Sequence, residues 1–315
     1  MRFCIVGYGA IAGFHRDALL KMKDVRIDGV VGRLLEPAQK FAELCQADVA
    51  TVHLGEALAR KSVDAVLIAS SSQVHYDQAM AALKAGKHVL LEIPMTLRLD
   101  EAERLNRVAE ATGRTLMVCH TERFYGPNLW LADRIERGSL HPLHLHRDWH
   151  FFRRTNIGWT GRQRSWVDNI LWHHGGHAVD TAVWLFGEEP LIARALYGPP
   201  SGTHKVPLDL SAQLAFPSGG LASFVLSYNA MVKDVTTHTV LICEEDTFAF
   251  RDGILTNYRG EIVAEEEPML AVPRQNREFV DSVVQGRVPR TGIGTLLGSW
   301  RTLDRLERSA LGLTG

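Results

Sequence analysis

Short apolar runs alternate with amphipathic segments along the first 120 residues of the chain. The apolar runs are typical of strands buried on both faces, and the segments between them repeat apolar residues every three or four positions, as helices do. This rhythm predicts an α/β domain on a doubly wound parallel sheet. The predicted strands are 3–6, 26–31, 64–69, 88–93 and 115–119. One predicted helix begins after residue 12, and the others are 35–45, 73–85 and 100–111.

The pattern changes after about residue 120, where strands of alternating apolar and polar residues follow one another. Such strands predict an open, mainly antiparallel sheet with helices on one face. We expect a first domain over 1–119 and an α+β domain over 120–315, with C-terminal helices able to pack back on the first. The predicted helices are 127–137, 168–186, 274–285 and 291–310; the predicted strands are 144–152, 192–197, 208–216, 221–228, 236–243, 247–250 and 254–258.

Composition and charge narrow the class of protein. The 315 residues carry a formal net charge of −1, so no overall field favours nucleic acid or a membrane surface. No apolar run approaches a membrane span, and because a strand pattern begins at residue 2 we expect no signal peptide. The four cysteines have neither disulfide nor metal-ligand spacing, which favours a reduced, cytoplasmic protein.

A glycine turn joins the first predicted strand to the first predicted helix. Gly7 permits a tight turn, Gly9 lets a pyrophosphate approach the backbone, and Ala12 is small enough for close helix–strand packing. Ala10 and Ile11 open the helix, whose free N–H groups favour phosphate. This arrangement predicts dinucleotide binding in a Rossmann domain. The alternative is a strand–turn–helix corner that binds nothing.

The end of the second predicted strand bears on the choice of cofactor. An acidic residue there would bind the ribose 2′-hydroxyl of NAD, but the chain has Gly32 followed by Arg33. Glycine leaves room and a guanidinium can pair with a 2′-phosphate, so we expect NADP to be preferred, with NAD possible. The alternative is a solvated Arg33, with Glu36 binding the ribose.

Several motifs resemble the glucose–fructose oxidoreductase/inositol dehydrogenase (Gfo/Idh/MocA) family. They are the glycine turn 7–9 and the segments 70–75, 86–92 and 175–180. The resemblance implies a Rossmann domain, a second domain on an open sheet, hydride transfer between NAD(P) and an alcohol carbon, and a homodimer. It also implies that the cofactor contacts the ends of two further strands, at Ser70, Ser71, Ser72, His75 and Glu92.

Two positions depart from that family. Ile93 stands where the family usually has a proton-transferring Lys, and His173 stands where it usually has Asp. Residues 120–124 and 151–177 resemble a narrower group within the family, which oxidises the cyclic hemiacetal of a carboxylated semialdehyde with NADP. Members of that group serve aromatic compound catabolism and share the Ile. This resemblance implies a small carboxylated substrate.

Two histidines are the candidate acid–base groups. His173 and His177 are four residues apart, so they share one face of a helix, with Gly175 and Gly176 between them. An imidazole suits removal of a hydroxyl proton near neutral pH. We expect His177, which matches the family's own His, to be the base and His173 to orient the hydroxyl or share the proton. The alternatives are a zinc site and buried core histidines; we expect no metal, and a structural role for His174.

Four arginines are the candidate carboxylate clamp, because Arg gives the bidentate pairing that a carboxylate needs. Neighbouring strand residues face opposite ways, so we expect only one of the central pair to reach the substrate. The alternative for each is a surface or interdomain ion pair. The four are Arg123, Arg153, Arg154 and Arg164.

Other residues with reactive side chains are given structural roles. Cys119 has no adjacent base or cation in the sequence, so we expect a buried core thiol rather than a nucleophile. Four histidines near the start of the second domain could suggest a metal cluster, but strand alternation favours positions on a sheet face for the last three. They are His141, His144, His146 and His150.

The sequence thus predicts an NADP-dependent dehydrogenase of a small carboxylated hemiacetal or semialdehyde. A sugar or cyclitol dehydrogenase of the same family is the first alternative, which Ile93 argues against. A non-catalytic NADP-binding regulator is the second, and tight NADP binding without turnover would favour it.

Overall fold

The structure, a computed structural model, describes residues 1–157, 161, 163–164, 166–233 and 235–313. The chain divides into two compact units. The first comprises 1–121 and 272–297, and the second comprises 122–271 and the chain from 298 onward.

The first unit is built on a six-stranded sheet in which all neighbouring strands run parallel, in the order β3-β2-β1-β4-β5-β6. The order reverses at β1, which is where doubly wound sheets bind ligands. The predicted doubly wound sheet is confirmed. Its strands are β1 (Arg2–Val6), β2 (Arg26–Val31), β3 (Val49–Thr51), β4 (Ala65–Ile68), β5 (His88–Leu91) and β6 (Leu116–Val118).

Helices connect these parallel strands. In the longest, the buried residues Ala102, Leu105 and Ala109 recur at three and four, and the helix ends at Gly113 with a left-handed φ of 62°. The N-cap residue of this helix is Arg98, which makes no side-chain cap. The helices are α1 (Ala10–Leu20), α2 (Leu35–Leu44), α3 (Leu54–Ala59), α4 (His75–Lys84) and α5 (Leu99–Thr112).

The second unit contains an eight-stranded sheet, in the order β14-β13-β12-β11-β7-β10-β9-β8. Only the central β7–β10 pair is parallel, so the predicted mainly antiparallel sheet is confirmed. The last strand was not predicted. The strands are β7 (Pro142–His150), β8 (Ile192–Tyr197), β9 (Asp209–Ala215), β10 (Leu221–Ser227), β11 (Thr236–Cys243), β12 (Thr247–Arg251), β13 (Ile254–Thr256) and β14 (Ile262–Glu265).

One face of this sheet is buried. Alternate residues of β9 and β10, such as Leu210 and Phe224, are at most 3% exposed, whereas Val225 is 43% exposed. His144 and His146 lie on the open face, where both rings contact the hydroxyl of Ser223. The later helices are α6 (Gly126–Glu136), α7 (Gly176–Phe186), α8 (Ala271–Gln285) and α9 (Ile293–Ala310).

The predicted helix over 168–186 begins later than expected and contains a π turn. The side chain of Asn169 accepts the backbone N–H groups of Leu171 and Trp172, at 2.9 and 3.2 Å, and this caps the helix after Asp168. The chain then forms one π turn, Leu171–Gly175, before α7. π turns are rare and often mark functional sites.

Among the described residues, no helix combines the length and the apolar composition of a membrane span.

Candidate active site

The glycine turn of the first unit has the geometry of a dinucleotide cradle. Gly7 has a φ of 109°, and a Cβ there would lie 2.3 Å from the carbonyl oxygen of Ala69. At Gly9 an added Cβ would meet no atom within 4 Å, so the turn is open on that side. Gly9 caps α1 without a side-chain bond, and Ala12 is fully buried against the sheet. The N-terminal N–H groups of α1, from Ala10 onward, can therefore receive a pyrophosphate.

The structure gives a packing reason for Gly32. A Cβ there would lie 2.4 Å from the ring of Tyr8, so this packing requires glycine. Arg33 follows directly on the surface. Glu36, the alternative ribose ligand, is exposed and pairs with Lys40 at 2.7 Å. Both candidate ribose ligands, Arg33 and Glu36, are therefore exposed to solvent after the end of β2.

His75 contacts the backbone that follows two further strands, β4 and β5. Its ring is buried, with Nδ1 2.8 Å from the carbonyl oxygen of Pro94 and Nε2 3.2 Å from that of Ser70. Burial lowers the pKa of His75, so the ring is neutral and donates to one carbonyl at a time. Ser70 donates its hydroxyl to Gln78 at 2.6 Å. Ser71 and Ser72 begin the short turn before α4.

Glu92 lies in a buried cluster that the sequence did not reveal. Its carboxylate is 2.7 Å from Nε2 of His15, whose Nδ1 faces Asn276 at 2.9 Å. Burial raises the pKa of Glu92, but the bond and charge of His15 outweigh it and leave the pKa below its ordinary value. Burial and Glu92 raise the pKa of Cys119, so this thiol is protonated. Ile93, in place of the family's Lys, follows directly.

Two groups of the described residues bring metal-ligand atoms within 4.8 Å of one another: the buried His15, Glu92 and Cys119, and the exposed His141, Glu244 and Glu245. In the first, existing hydrogen bonds already account for the positions of the side chains. In the second, His141 pairs with Glu245. Both arrangements are explained without an ion.

In the second unit, the π turn and α7 present two histidines on one side. Across residues 171–180 only His173 and His177 are partly exposed, and their eight neighbours are buried. Gly175 allows this close packing, because a Cβ there would lie 3.2 Å from Leu171 and 3.3 Å from the carbonyl oxygen of Ile170. The two candidate acid–base groups therefore open in the same direction.

A buried carboxylate that the sequence analysis did not single out as a site residue lies beside His173. Oδ2 of Asp168 accepts hydrogen bonds from Arg153 and, at 2.7 Å, from Arg164. Oδ1 accepts from the indole of Trp166 at 3.2 Å and lies 3.8 Å from Nδ1 of His173. Two guanidinium groups and one carboxylate leave a net positive charge next to the histidine.

The other two candidate arginines lie elsewhere. Arg123 is buried and makes a bidentate pair with Asp180, at 2.6 and 2.8 Å, so it is in an ion pair, although a buried one within the second unit rather than a surface or interdomain one. Arg154 is exposed and donates to the side chain and the backbone of Asn229, both at 3.0 Å. Of the neighbouring Arg153 and Arg154, only the first therefore contacts Asp168.

Aromatic rings and His174 enclose Arg153. Its guanidinium lies 5.1 Å from the ring centres of both Phe151 and Tyr228, within cation–π range. The hydroxyl of Tyr228 bonds Nδ1 of His174 at 2.5 Å. Burial lowers the pKa of His174 well below its ordinary value, which fits the structural role expected for it. No pattern in the sequence indicated Tyr228, because it follows the end of a strand.

His177 has a different carboxylate nearby. The charge of His177 contributes to the low pKa of Glu122, which burial would raise but which Arg147 chiefly brings to about 2. Arg147 donates to both oxygens of Glu122, at 2.5 and 2.6 Å, and Thr181 donates to one at 2.9 Å. Glu122 is therefore ionised and already well supplied with donors.

The charges around His173 set its protonation state. Loss of solvation lowers its pKa to about 4, with Arg153, His177 and Arg164 acting in the same direction and Asp168 opposing them. Burial would raise the pKa of Asp168, but His173 and the two arginines bring it to about 2. At neutral pH His173 is thus an uncharged imidazole beside an ionised carboxylate, a state that can accept a proton.

Comparison with known proteins agrees with this geometry. Residues 1–120 match the family model of oxidoreductases with an NAD-binding Rossmann fold, and residues 127–265 match that of bacterial oxidoreductase C-terminal domains. The chain is 33% identical to 4-carboxy-2-hydroxymuconate-6-semialdehyde dehydrogenase of Sphingobium sp. over 98% of both chains. It is 28% identical to scyllo-inositol 2-dehydrogenase (NADP+) of Bacillus subtilis over 58% of this chain and 51% of the other.

Solved structures show the same fold. UDP-N-acetylglucosamine 3-dehydrogenase of Acidithiobacillus ferrooxidans superposes with a TM-score of 0.84 at 20% identity, covering 99% of this chain and 98% of its own. Levoglucosan dehydrogenase in complex with NADH gives a TM-score of 0.85 at 16% identity, covering 100% and 98%. The chain belongs to the Gfo/Idh/MocA family of oxidoreductases, with an NAD(P)-binding Rossmann fold.

Proposed function

We propose that this enzyme oxidises the cyclic hemiacetal of 4-carboxy-2-hydroxymuconate-6-semialdehyde, or of a closely related carboxylated semialdehyde, to the lactone 2-pyrone-4,6-dicarboxylate. The relative that is 33% identical over 98% of both chains carries this dehydrogenase's name. The observation that carries the proposal is the arrangement at Asp168, where two arginines and His173 meet. It combines carboxylate recognition with a proton acceptor.

The first unit would hold NADP. Gly7, Gly9 and the start of α1 fit the pyrophosphate, since an added Cβ at Gly9 would enter the open side of the turn. Arg33 would pair with the 2′-phosphate. When bound, the oxidised nicotinamide accepts the hydride from the hemiacetal carbon. The strand-end residues from Ser70 to His75, with Glu92, would shape the same cradle, and residues 1–119 would form the cofactor domain.

The second unit would hold the substrate and take its proton. Oxidation removes a hydride from the carbon and a proton from the hydroxyl, and the C–O bond becomes the lactone carbonyl. His173 and His177 are the proposed acceptors. Resemblance favours His177, which matches the family's own histidine, whereas the geometry gives His173 a carboxylate partner.

The arginines would bind the substrate's carboxylates. Arg164 already uses both terminal nitrogens, on Asp168 and on Asn156. Arg153 uses one on Asp168, and among the described residues its other terminal nitrogen has no acceptor. We therefore assign the main carboxylate contact to Arg153, with Arg164 beside it. Arg123 and Arg154 are left out of the clamp.

A cyclitol dehydrogenase is the competing function, favoured by the likeness to scyllo-inositol 2-dehydrogenase. The usual proton-transferring Lys is replaced by Ile93, and the net positive charge around Asp168 gives no advantage to an uncharged polyol. We also propose a homodimer formed through the open face of the second sheet, as the family resemblance implies. Light scattering that shows a monomer at micromolar concentration would contradict the dimer.

A substrate panel tests the function. Purified protein is supplied with NADP+ or NAD+ and with the ring-cleavage product of protocatechuate, myo-inositol, scyllo-inositol or glucose, and reduced cofactor is followed by absorbance. The proposal predicts turnover of the carboxylated semialdehyde and little turnover of the polyols. The reverse order would establish the cyclitol reading, and tight NADP binding with no turnover would favour a regulator.

A further inference from the structure

The carboxylate of Asp168 faces two different groups with its two oxygens. We propose that Asp168 is a positioning residue that holds the arginine clamp and makes His173, rather than His177, the proton acceptor. This inference rests on the proposed function and names the group that takes the proton.

The two oxygens of Asp168 contact different side chains. Oδ2 binds Arg153 and Arg164, so a single atom holds both guanidinium groups on one side. Oδ1 is turned toward Trp166 and toward Nδ1 of His173. Asp168 is 3% exposed, so water does not weaken these interactions as it would at the surface.

The Asp168 carboxylate also favours one tautomer of His173. A neutral imidazole has one N–H, and a carboxylate near Nδ1 favours the tautomer with its proton on that nitrogen. Nε2 then carries the lone pair that accepts the hydroxyl proton. The 3.8 Å separation is longer than a hydrogen bond, but such contacts often tighten when substrate binds. The same carboxylate would stabilise the imidazolium that forms.

The charged groups near His173 differ from those near His177. His173 faces Asp168, Arg153, Arg164 and His177, and lies against the ring of His174. A substrate carboxylate bound to the arginines would add negative charge beside Asp168 and strengthen His173 as a base. The carboxylate near His177 is Glu122, which pairs with Arg147 and not with the two arginines of the clamp. Only His173 therefore has a carboxylate shared with the clamp.

The test compares Asp168→Asn, which removes the charge, with Asp168→Glu, which keeps it. Asp180→Asn is the matched control, because Asp180 is an equally buried carboxylate paired with Arg123. Nitrogen-15 NMR of histidine-labelled protein at pH 7 reports the tautomer of His173, assigned with His173→Gln. Steady-state kinetics with the carboxylated semialdehyde report kcat and KM separately.

In the wild type and in Asp180→Asn we expect the proton of His173 on Nδ1, and in Asp168→Asn a shift toward Nε2. Loss of an oriented base should lower kcat about a hundred-fold or more in Asp168→Asn, and loss of the charge that holds the two arginines should raise KM as well. Asp168→Glu should recover part of this loss. His173→Gln should lower kcat by a similar factor and His177→Gln by less.

Several results would overturn the inference. One is a wild-type His173 with its proton on Nε2, which can be read even if the Asp168 variants do not fold. Another is an Asp168→Asn enzyme whose kcat stays within about three-fold of the wild type, a change too small for an oriented base. A wild-type enzyme that does not turn over carboxylated semialdehydes would refute the proposed function instead. The NMR result would still test whether Asp168 positions His173.

Discussion

At the scale of single residues, the sequence neighbours Arg153 and Arg154 differ in burial and in hydrogen-bond partners. Arg153 is buried beside Asp168, whereas Arg154 is exposed on Asn229. A charge-assisted hydrogen bond contributes about 1.5–3 kcal/mol, so Arg153→Gln should raise KM for the carboxylated substrate about ten- to a hundred-fold. Arg154→Gln should change KM little, because exposed charges contribute little. Inhibition by isophthalate, compared with benzoate, measures the same loss without turnover.

The result that contradicts this assignment is an equal rise in KM for both variants, or a rise for Arg154→Gln alone. The carboxylate would then bind on the exposed side of the strand.

We expect the choice of cofactor to depend on single side chains as well. Arg33→Ala should weaken NADP binding about ten- to a hundred-fold and leave NAD binding unchanged, because only NADP carries the 2′-phosphate. Glu36→Ala is the control, and under this assignment it should leave NADP affinity nearly unchanged. Fluorescence titration measures both cofactors. An equal loss of NAD and NADP in Arg33→Ala would show that Arg33 does not select between them.

The sequence predicted residue types better than residue contacts. It identified His173 and His177 because helix periodicity relates their positions. It did not single out His15 or Tyr228, because their partners lie 77 and 54 positions away in the sequence. It did not single out Asp168 either, although its partners lie within 15 positions, because periodicity does not predict these contacts. It did not indicate the packing of the Tyr8 ring against Gly32, because the two residues follow different strands.

At the scale of elements, the glycine turn offers a matched pair of substitutions. Gly7→Ala would place a Cβ 2.3 Å from a backbone carbonyl at a φ of 109°, so it should destabilise the first unit. Gly9→Ala meets no atom within 4 Å, so it should fold normally and lose cofactor affinity instead. Thermal unfolding and NADP titration of the two variants separate these effects. A Gly9→Ala protein with normal NADP affinity would place the pyrophosphate elsewhere.

Most elements could be predicted from periodicity, and the misses have physical causes. The sheet strands appear where apolar runs or alternation predicted them, apart from the short β3 and β14. The start of α7 could not be predicted, because helix periodicity does not distinguish an α turn from a π turn and the cap at Asn169 depends on local geometry. That cap places Asp168 outside the helix and beside the arginines.

At the scale of the whole molecule, buried histidines make stability depend on pH. Burial lowers the pKa of His75, His173 and His174 below the unfolded value of 6.5. The unfolded chain therefore binds more protons below pH 6.5, and the free energy of unfolding should fall as pH drops from 6.5 toward 4. His173 alone, with a pKa of about 4, contributes up to about 3 kcal/mol.

Two buried carboxylates extend this loss. The pKa values of Asp168 and Glu122 are lowered to about 2, so their stabilisation is present above their unfolded values of 3.8 and 4.5 and disappears as pH falls toward 2. Urea unfolding between pH 8 and 4 measures the histidine part, and His173→Gln should reduce its slope. A free energy of unfolding that stays constant from pH 7 to 4 would contradict the assignment.

The fold class and the family were within reach of the sequence, because both depend on patterns spread over the whole chain. The specific substrate depends on a few side chains in the second unit, and their arrangement appears only in the folded structure.

The most direct test of the central claim is the identity and yield of the product. The ring-cleavage product of protocatechuate is incubated with enzyme and NADP+, and the mixture is analysed by chromatography with mass spectrometry. The account predicts one lactone, 2-pyrone-4,6-dicarboxylate, for each NADPH formed. An open-chain acid as the product would show that the aldehyde hydrate, and not the cyclic hemiacetal, is oxidised, and the mechanism proposed for His173 and Asp168 would be wrong.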